Sequence, residues 1–183
     1  MKFSARFVLI ILALTLIQSA FGRDEVLIRG ILKDFDTKEK LINCEVRVYK
    51  NGRVAFSENT GITGKYELHL ELGFFYKIKF SKADYHSKII EFDFTNLTPE
   101  EEEGGFMMDI PGTLFKVQKG FDKKILKEPI GRVSYSDETN AMEWDEAYHA
   151  KMKAKIDAEF ARLKSIQNKK YNSEILKAEK AVQ

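Results

Sequence analysis

The stretch INCEVRVYKNGRVAFSE, residues 42–58, alternates apolar and polar side chains on both sides of an Asn-Gly pair. Alternation with a period of two is typical of a half-buried strand, and Asn-Gly accepts the positive φ angles of a tight hairpin turn. We therefore predict strands 42–50 and 53–58, joined at Asn51 and Gly52. Cys44 falls on the apolar phase, so we expect a buried structural thiol and not a nucleophile, which would need an exposed, electropositive setting.

The same alternation recurs on both sides of this hairpin, in runs separated by turn residues. The further strand candidates are residues 26–33, 65–71, 76–80, 90–94 and 106–110. Short strands at this spacing, each with one apolar face, are typical of two packed sheets. Residues 23–110 are therefore predicted to form a mainly β domain, a seven-stranded antiparallel sandwich.

Several pieces of this region, taken in order, carry a resemblance to a known family. They are Gly30-Ile31-Leu32-Lys33-Asp34, Thr37, Leu41, Val46, Val48, the run Thr63-Gly64-Lys65-Tyr66-Glu67-Leu68, and Tyr85. In this order and spacing the chain resembles the carboxypeptidase regulatory-like domain, a prealbumin-like (transthyretin-like) sandwich. Asp84 stands where the family usually has glycine. The resemblance implies a non-catalytic accessory domain of bacterial envelope proteins, and it carries no catalytic residue over to this chain.

Residues 1–22 have the layout of a secretory signal peptide. Lys2 and Arg6 form a basic start, an apolar run extends from Phe7 to Ile17, and small residues precede an expected cleavage point near Arg23. The run is shorter than the roughly 20 residues of a spanning helix, so an uncleaved anchor is the less favoured alternative. We expect an exported protein, either periplasmic or extracellular and associated with the cell envelope.

Composition argues against several functional classes. The 30 Lys and Arg face 28 Asp and Glu, and removal of Lys2 and Arg6 balances the two, which argues against nucleic acid as a partner. A single cysteine allows no intrachain disulfide. His69, His86 and His149 have no metal-ligand spacing and are expected to be solvated. We predict no cofactor and no enzyme, although a Ser/His/Asp group assembled only in space stays open.

Residues 111–139 follow the predicted sandwich and are irregular, yet they are dense in apolar side chains. Low hydrophobicity is what keeps linkers unfolded, so this density predicts a strap that packs on the sandwich surface. Residues 130–136 are predicted to add one more strand, with residues 137–139 as its turn.

Residues 140–183 are predicted to form an amphipathic helical extension. Asn140 and Glu143 have the spacing of a capping pair at its start. Large apolar residues then recur at helical spacing: Trp144, Tyr148, Met152, Ile156, Phe160, Leu163 and Ile166. A helix of this length, at about 1.5 Å per residue, extends beyond a small sandwich. We therefore assign Trp144 and Tyr148 to packing within the domain, and we assign Phe160, Leu163 and Ile166 to a partner.

The apolar stripe has three interpretations. The helix braces its own sandwich, docks into an envelope protein or a second copy, or lies on a membrane surface. Asp157 and Glu159 make the membrane less favoured than protein contact. We predict a non-catalytic secreted or periplasmic binding or scaffolding module of a bacterial cell-envelope assembly, which docks a partner through its C-terminal helix. The alternative is a carbohydrate- or peptide-binding sandwich that uses exposed aromatic side chains.

Overall fold

The structure is a computed structural model that describes residues 25–98 and 105–182, with side chains described as far as Lys177. The predicted signal peptide, residues 1–22, lies outside the described residues. The described part contains ten strands and ends in one long helix. Within this part, no helix has the length and apolar character needed to cross a membrane.

Two sheets enclose one apolar core. The smaller sheet contains β4 (Lys65–Glu71), β1 (Glu25–Asp34), β7 (Phe106–Asp109) and β8 (Gly112–Leu114), with β7 and β8 both beside β1. The larger sheet has the order β10 (Ala141–Trp144), β9 (Gly131–Ser136), β6 (Lys88–Asp93), β5 (Phe75–Ser81), β2 (Glu45–Lys50) and β3 (Arg53–Asn59). The prediction of a mainly β sandwich with a long C-terminal helix is confirmed.

Strand number and strand direction differ from the prediction of seven antiparallel strands. The seven predicted strands occur as β1 to β7, the further strand predicted at residues 130–136 occurs as β9, and β8 and β10 are additional. β7 and β8 pair in parallel with β1, and β9 pairs in parallel with β6. Alternation along the chain identifies a strand but not its neighbour. Parallel pairs need long crossovers such as the one between β6 and β9, and local alternation does not show which strands a crossover brings together.

The hairpin at the centre of the prediction has the expected local geometry. Asn51 and Gly52 have φ angles of +48° and +80°, the two positive angles that a type I′ turn requires. Cys44 is fully buried directly before β2, and its Sγ lies 3.7 Å from the Leu41 carbonyl oxygen. Burial raises the pKa of the Cys44 thiol. Val46 follows it inward and is also fully buried.

Residues that carry the family resemblance meet at one end of the sandwich. The Tyr85 hydroxyl donates to an Asp34 carboxylate oxygen at 2.7 Å, and the backbone N–H of Thr37 donates to the other oxygen at 2.9 Å. The Thr37 N–H and the Tyr85 hydroxyl lower the pKa of Asp34 to about 2. Asp84 has a φ of +66°, in the left-handed region that favours glycine and that Asp tolerates better than most residues. Asp84 thus adopts a backbone conformation that a glycine would also adopt.

The region after the core strands contributes to both sheets and to a second apolar cluster. β8 and β9 come from it, and the 3₁₀ helix Lys123–Lys127 lies between them. Phe115, Phe121 and Leu126 are buried together with Leu163 of the C-terminal helix. Residues 115–127 are the middle part of the predicted 111–139 strap and are alone called the strap below. They lie between the sandwich and the helix.

The helix, α1, extends from Glu146 to Val182 and begins later than the predicted Asn140. Asn140 instead lies in the turn between β9 and β10 with a φ of +52°, and Trp144 is the last residue of β10. The cap is Asp145, whose carboxylate accepts the Tyr148 backbone N–H at 2.8 Å. The predicted capping pair and the helical position of Trp144 are therefore wrong, because this segment pairs with β9 as a strand.

Candidate functional site

The middle of α1 packs on the domain, which corrects the assignment of Phe160 and Leu163 to a partner. The Phe160 ring centroid lies 5.0 Å from that of Phe115 and 5.6 Å from that of Phe121. Leu163 is 5% exposed and belongs to the same second cluster. The strap supplies the surface that the helix covers, so this part of α1 is a brace.

Two charged side chains fasten the same part of the helix to the strap. Glu159 accepts the Asp122 backbone N–H at 2.8 Å, and Arg162 donates to the Gly120 carbonyl oxygen at 2.6 Å. Glu159 and Arg162 also form an ion pair with each other. The Arg162 guanidinium and the Asp122 N–H together lower the pKa of Glu159 to about 2. We call this set of contacts the Glu159–Arg162 latch.

Trp144 and Tyr148 both make contacts within the domain. The Trp144 ring lies against Gly131, where an added Cβ would collide with the ring carbon Cζ3. The Tyr148 hydroxyl donates to the Pro129 carbonyl oxygen at 2.9 Å, and the Arg132 guanidinium lies 4.0 Å from the centre of its ring. These contacts join the end of β10 and the first turn of α1 to β9 and the segment before it.

The distal part of the helix has a different environment. Among the side chains of α1 that the structure describes, Leu163 is the last buried one, and every side chain from Lys164 to Lys177 is exposed. This distal segment still carries large apolar residues between 39% and 66% exposed, namely Ile166, Tyr171, Ile175 and Leu176. Of the residues predicted to face a partner, Ile166 is therefore the one that is accessible.

A cleft of about 410 Å³ lies where the edges of the two sheets approach each other. Residues of β8, Trp144 of β10 and His149 of α1 line it. Its apolar lining includes Leu32, Ile110 and Ile130, whereas Lys88 and Thr113 supply polar groups. The His149 ring is oriented by its Nδ1, which lies 3.2 Å from the Ile130 carbonyl oxygen and can only donate to it.

Lys88 is a partly buried cation that the sequence analysis did not single out. Its Nζ lies 3.5 Å from the Thr113 hydroxyl oxygen and 5.3 Å from the centre of the Phe115 ring. Burial lowers the pKa of the Lys88 amine to about 8. A signal for it was present, because Lys88 is in phase with the inward-facing residues Ile90 and Phe92 of the same strand.

His86 is buried, although we expected it to be solvated. Its ring lies between those of Phe115 and Phe121, at centroid distances of 5.0 and 4.7 Å. Its Nε2 has no hydrogen-bond partner among the described residues, and burial lowers the pKa of the ring. In the same described residues, no group of three or more His, Cys, Asp or Glu side chains is placed to hold a metal ion.

Comparison with known sequences gives no assignment. No family model matches the chain, and no curated protein matches it either. The family resemblance seen in the sequence therefore has no support from these two comparisons.

Comparison with solved structures gives partial likenesses. The Bacillus anthracis TIE protein is 20% identical with a TM-score of 0.40, over 51% of this chain and 18% of that one. Catechol 1,2-dioxygenase from Acinetobacter sp. ADP1 is 16% identical with a TM-score of 0.41, over 63% and 60% of the two chains. The major pilin SpaD from Corynebacterium diphtheriae is 15% identical with a TM-score of 0.36, over 52% and 31%. The chain thus spans less than two thirds of each of these proteins, and such likenesses assign neither a family nor an activity.

Proposed function

We propose that the protein is an exported, non-catalytic binding module of a bacterial cell envelope that docks a protein partner through the distal segment of α1. Export rests on the signal-peptide layout of residues 1–22. The envelope setting rests on the resemblance to the carboxypeptidase regulatory-like domain, which is an accessory domain in that family. Both remain part of the proposal.

The observation that carries the proposal is the change in burial along one continuous helix. Up to Leu163 the apolar side chains of α1 are used by the domain, and beyond it Ile166, Tyr171, Ile175 and Leu176 are exposed. Interfaces gain most of their affinity from a few large anchors such as tyrosine. A rigid helix that presents such anchors beyond its own domain therefore provides a docking element.

The Glu159–Arg162 latch gives the distal segment of α1 a defined direction relative to the domain. Because Glu159 and Arg162 fasten α1 to the strap, the helix leaves the domain at a set position. A binding segment held in its bound conformation loses less conformational entropy on association. The brace and docking interpretations of the helix therefore apply to different parts of it.

Truncation tests the proposal. A chain that ends at Ser165 keeps Leu163 and the latch, so it should unfold at the same urea concentration as the full chain. We expect the full chain to capture a protein from envelope extract of the source bacterium and the truncated chain to capture none. Capture that survives truncation would overturn the proposal.

Two matched double variants show whether capture depends on the apolar side chains of the distal segment or on its other exposed residues. Tyr171→Ser with Leu176→Ser should abolish capture, whereas Lys169→Ser with Lys177→Ser should preserve it, since all four residues are exposed. Light scattering of the purified chain identifies self-association. Binding of the segment to anionic vesicles, lost at high salt, would support membrane attachment instead and refute a protein partner.

A second candidate function is peptide binding at the edge of the larger sheet. β3 is the terminal strand of that sheet, and its Val54 and Phe56 side chains are 60% and 40% exposed. An extended peptide can add a strand to such an edge. Capture that survives truncation but is lost in Phe56→Ala would favour this function.

A further inference from the structure

Lys88 occupies an unusual place for a lysine. It lies on the inward phase of β6, which the apolar residues Ile90 and Phe92 occupy further along the strand. Among the described residues, no carboxylate pairs with its amine, and its one polar contact is the long approach to the Thr113 hydroxyl at 3.5 Å. Its amine also lies 5.3 Å from the centre of the Phe115 ring, but a cation–π contact and one long hydrogen bond compensate a charge withdrawn from water less well than a carboxylate would.

The surroundings of Lys88 have the properties of a small-molecule site. The cleft of about 410 Å³ is within the usual range for such sites, which combine apolar walls with a few convergent polar groups. Leu32 and Ile110 are buried and line the cleft, and Trp144 adds an aromatic side chain to the lining. Lys88 and Thr113 approach each other across the cleft and can donate to the same group.

The charges around the cleft restrict the ligand. At neutral pH, an amine with a pKa of about 8 is still mainly protonated, so Lys88 favours an anion. Asp109 and Glu146 also line the cleft, and Asp109 is paired with Arg29 at 2.7 Å. The Glu146 carboxylate adds negative charge to the lining, which disfavours a dianion such as a phosphate monoester more than a monoanion. A ligand with one negative charge and an otherwise uncharged body is attracted by Lys88 and is repelled less than a dianion by the carboxylate.

We propose that this cleft binds a small organic monocarboxylate with an apolar, ring-sized body. The carboxylate accepts hydrogen bonds from Lys88 Nζ and the Thr113 hydroxyl, and the apolar body lies against Trp144 and Ile130. This site is separate from the distal segment of α1 and independent of the proposed docking function.

The single tryptophan of the chain allows a direct test, because Trp144 lines the cleft. Phenylacetate serves as the probe and phenylacetamide as its neutral counterpart. We expect phenylacetate to change the Trp144 fluorescence saturably, and phenylacetamide to bind at least about tenfold more weakly, because a charge-assisted hydrogen bond is lost. The full mature chain is used throughout.

Two lysine variants show whether Lys88 is the anchor. Lys88→Met should weaken phenylacetate binding by about 10- to 100-fold and leave phenylacetamide binding unchanged. Lys153→Met, an exposed lysine on α1, should leave both unchanged. Lys88→Met should also unfold at an equal or higher temperature, since it removes an unpaired charge from an apolar setting. A loss of stability would instead indicate a structural lysine.

The pH dependence gives a second readout in the unmodified protein. Binding of phenylacetate should weaken between about pH 7 and about pH 9 as Lys88 loses its proton, whereas an ordinary lysine would hold its charge to about pH 10. The hydrogen bond from Arg29 lowers the pKa of Asp109, so the charge of Asp109 does not change over this range. Saturable binding that is equal in the Lys88→Met and Lys153→Met variants, or no fluorescence change up to about 10 mM phenylacetate, would overturn the proposal.

Discussion

Replacing Leu163 with alanine should destabilise the domain by about 3 kcal/mol. Leu163 is 5% exposed and lies in the second cluster with Phe115, Phe121 and Leu126. The change removes three buried carbon groups, each worth about 0.8 kcal/mol, and leaves a cavity that adds to the loss. For a domain of this size the melting temperature should fall by about 6–12 °C.

Urea unfolding measures this effect with two probes that report on different elements. Fluorescence of Trp144 follows the end of β10, and far-UV circular dichroism follows the helix. Ile166→Ala is the matched control, because Ile166 lies almost one turn further along α1 but is 49% exposed. Its effect should stay within about 0.5 kcal/mol. Equal midpoints for the two variants would show that Leu163 does not pack on the strap, and would return it to a partner-binding role.

Three further outcomes follow from named contacts. Gly131→Ala should displace the Trp144 ring and shift its fluorescence emission, because the added Cβ would collide with that ring. Gly61→Ala is the control and should leave the emission unchanged, because an added Cβ there meets nothing within 4 Å. Cys44 should react with a thiol reagent only after denaturation, since it is fully buried and burial raises its pKa; rapid labelling of the native chain would contradict this burial. Glu159 has a pKa of about 2 in the folded chain against an ordinary 4.5, so its contribution to stability is complete above about pH 4.5 and is lost as the pH falls toward 2. Glu159→Gln should therefore flatten this part of the plot of urea midpoint against pH, and an unchanged slope would mean that the latch is not formed in solution.

Local signals in the sequence were sufficient for the first seven strands. Each has a period-two pattern and a turn residue near its end, and the Asn51-Gly52 pair has the geometry that its composition predicts. What such signals lack is information on pairing. The positions of β7, β8 and β9 beside β1 and β6 depend on crossovers whose ends meet only in the folded chain.

The start of the helix was misplaced because two local patterns compete there. Asn140 and Glu143 have capping-pair spacing, and Trp144 and Tyr148 are four residues apart, which is also helical spacing. The pairing of β10 with β9 overrides both patterns, with Asn140 in the left-handed conformation that asparagine tolerates in turns. A segment of four residues is too short for periodicity to distinguish a strand from a first helical turn.

Lys88 shows the opposite case, because the sequence carries a usable signal for it. The strand phase that correctly places Ile90 and Phe92 inward also places Lys88 inward. A charged residue on an apolar phase departs from the pattern of its strand, and such departures are concentrated at functional or strained positions. Its partner Thr113 could not have been predicted, because β8 reaches the cleft only through its parallel pairing with β1.

The apolar face of α1 continues past the last contact that the helix makes with the domain. Met152, Ile156, Phe160 and Leu163 follow one another at spacings of four, four and three residues and share one face. Tyr171 lies eleven residues after Phe160, which at about 100° per residue places it about 20° from Phe160 around the helix. Direction therefore does not separate Tyr171 from the residues that pack on the strap, but distance does, because at about 1.5 Å per residue Tyr171 lies about 12 Å beyond Leu163 along the axis. None of the described parts of this chain reaches that far, since Tyr171 and Ile175 remain exposed. One apolar face thus holds the domain together up to Leu163 and stays exposed beyond it, as the proposed docking function requires.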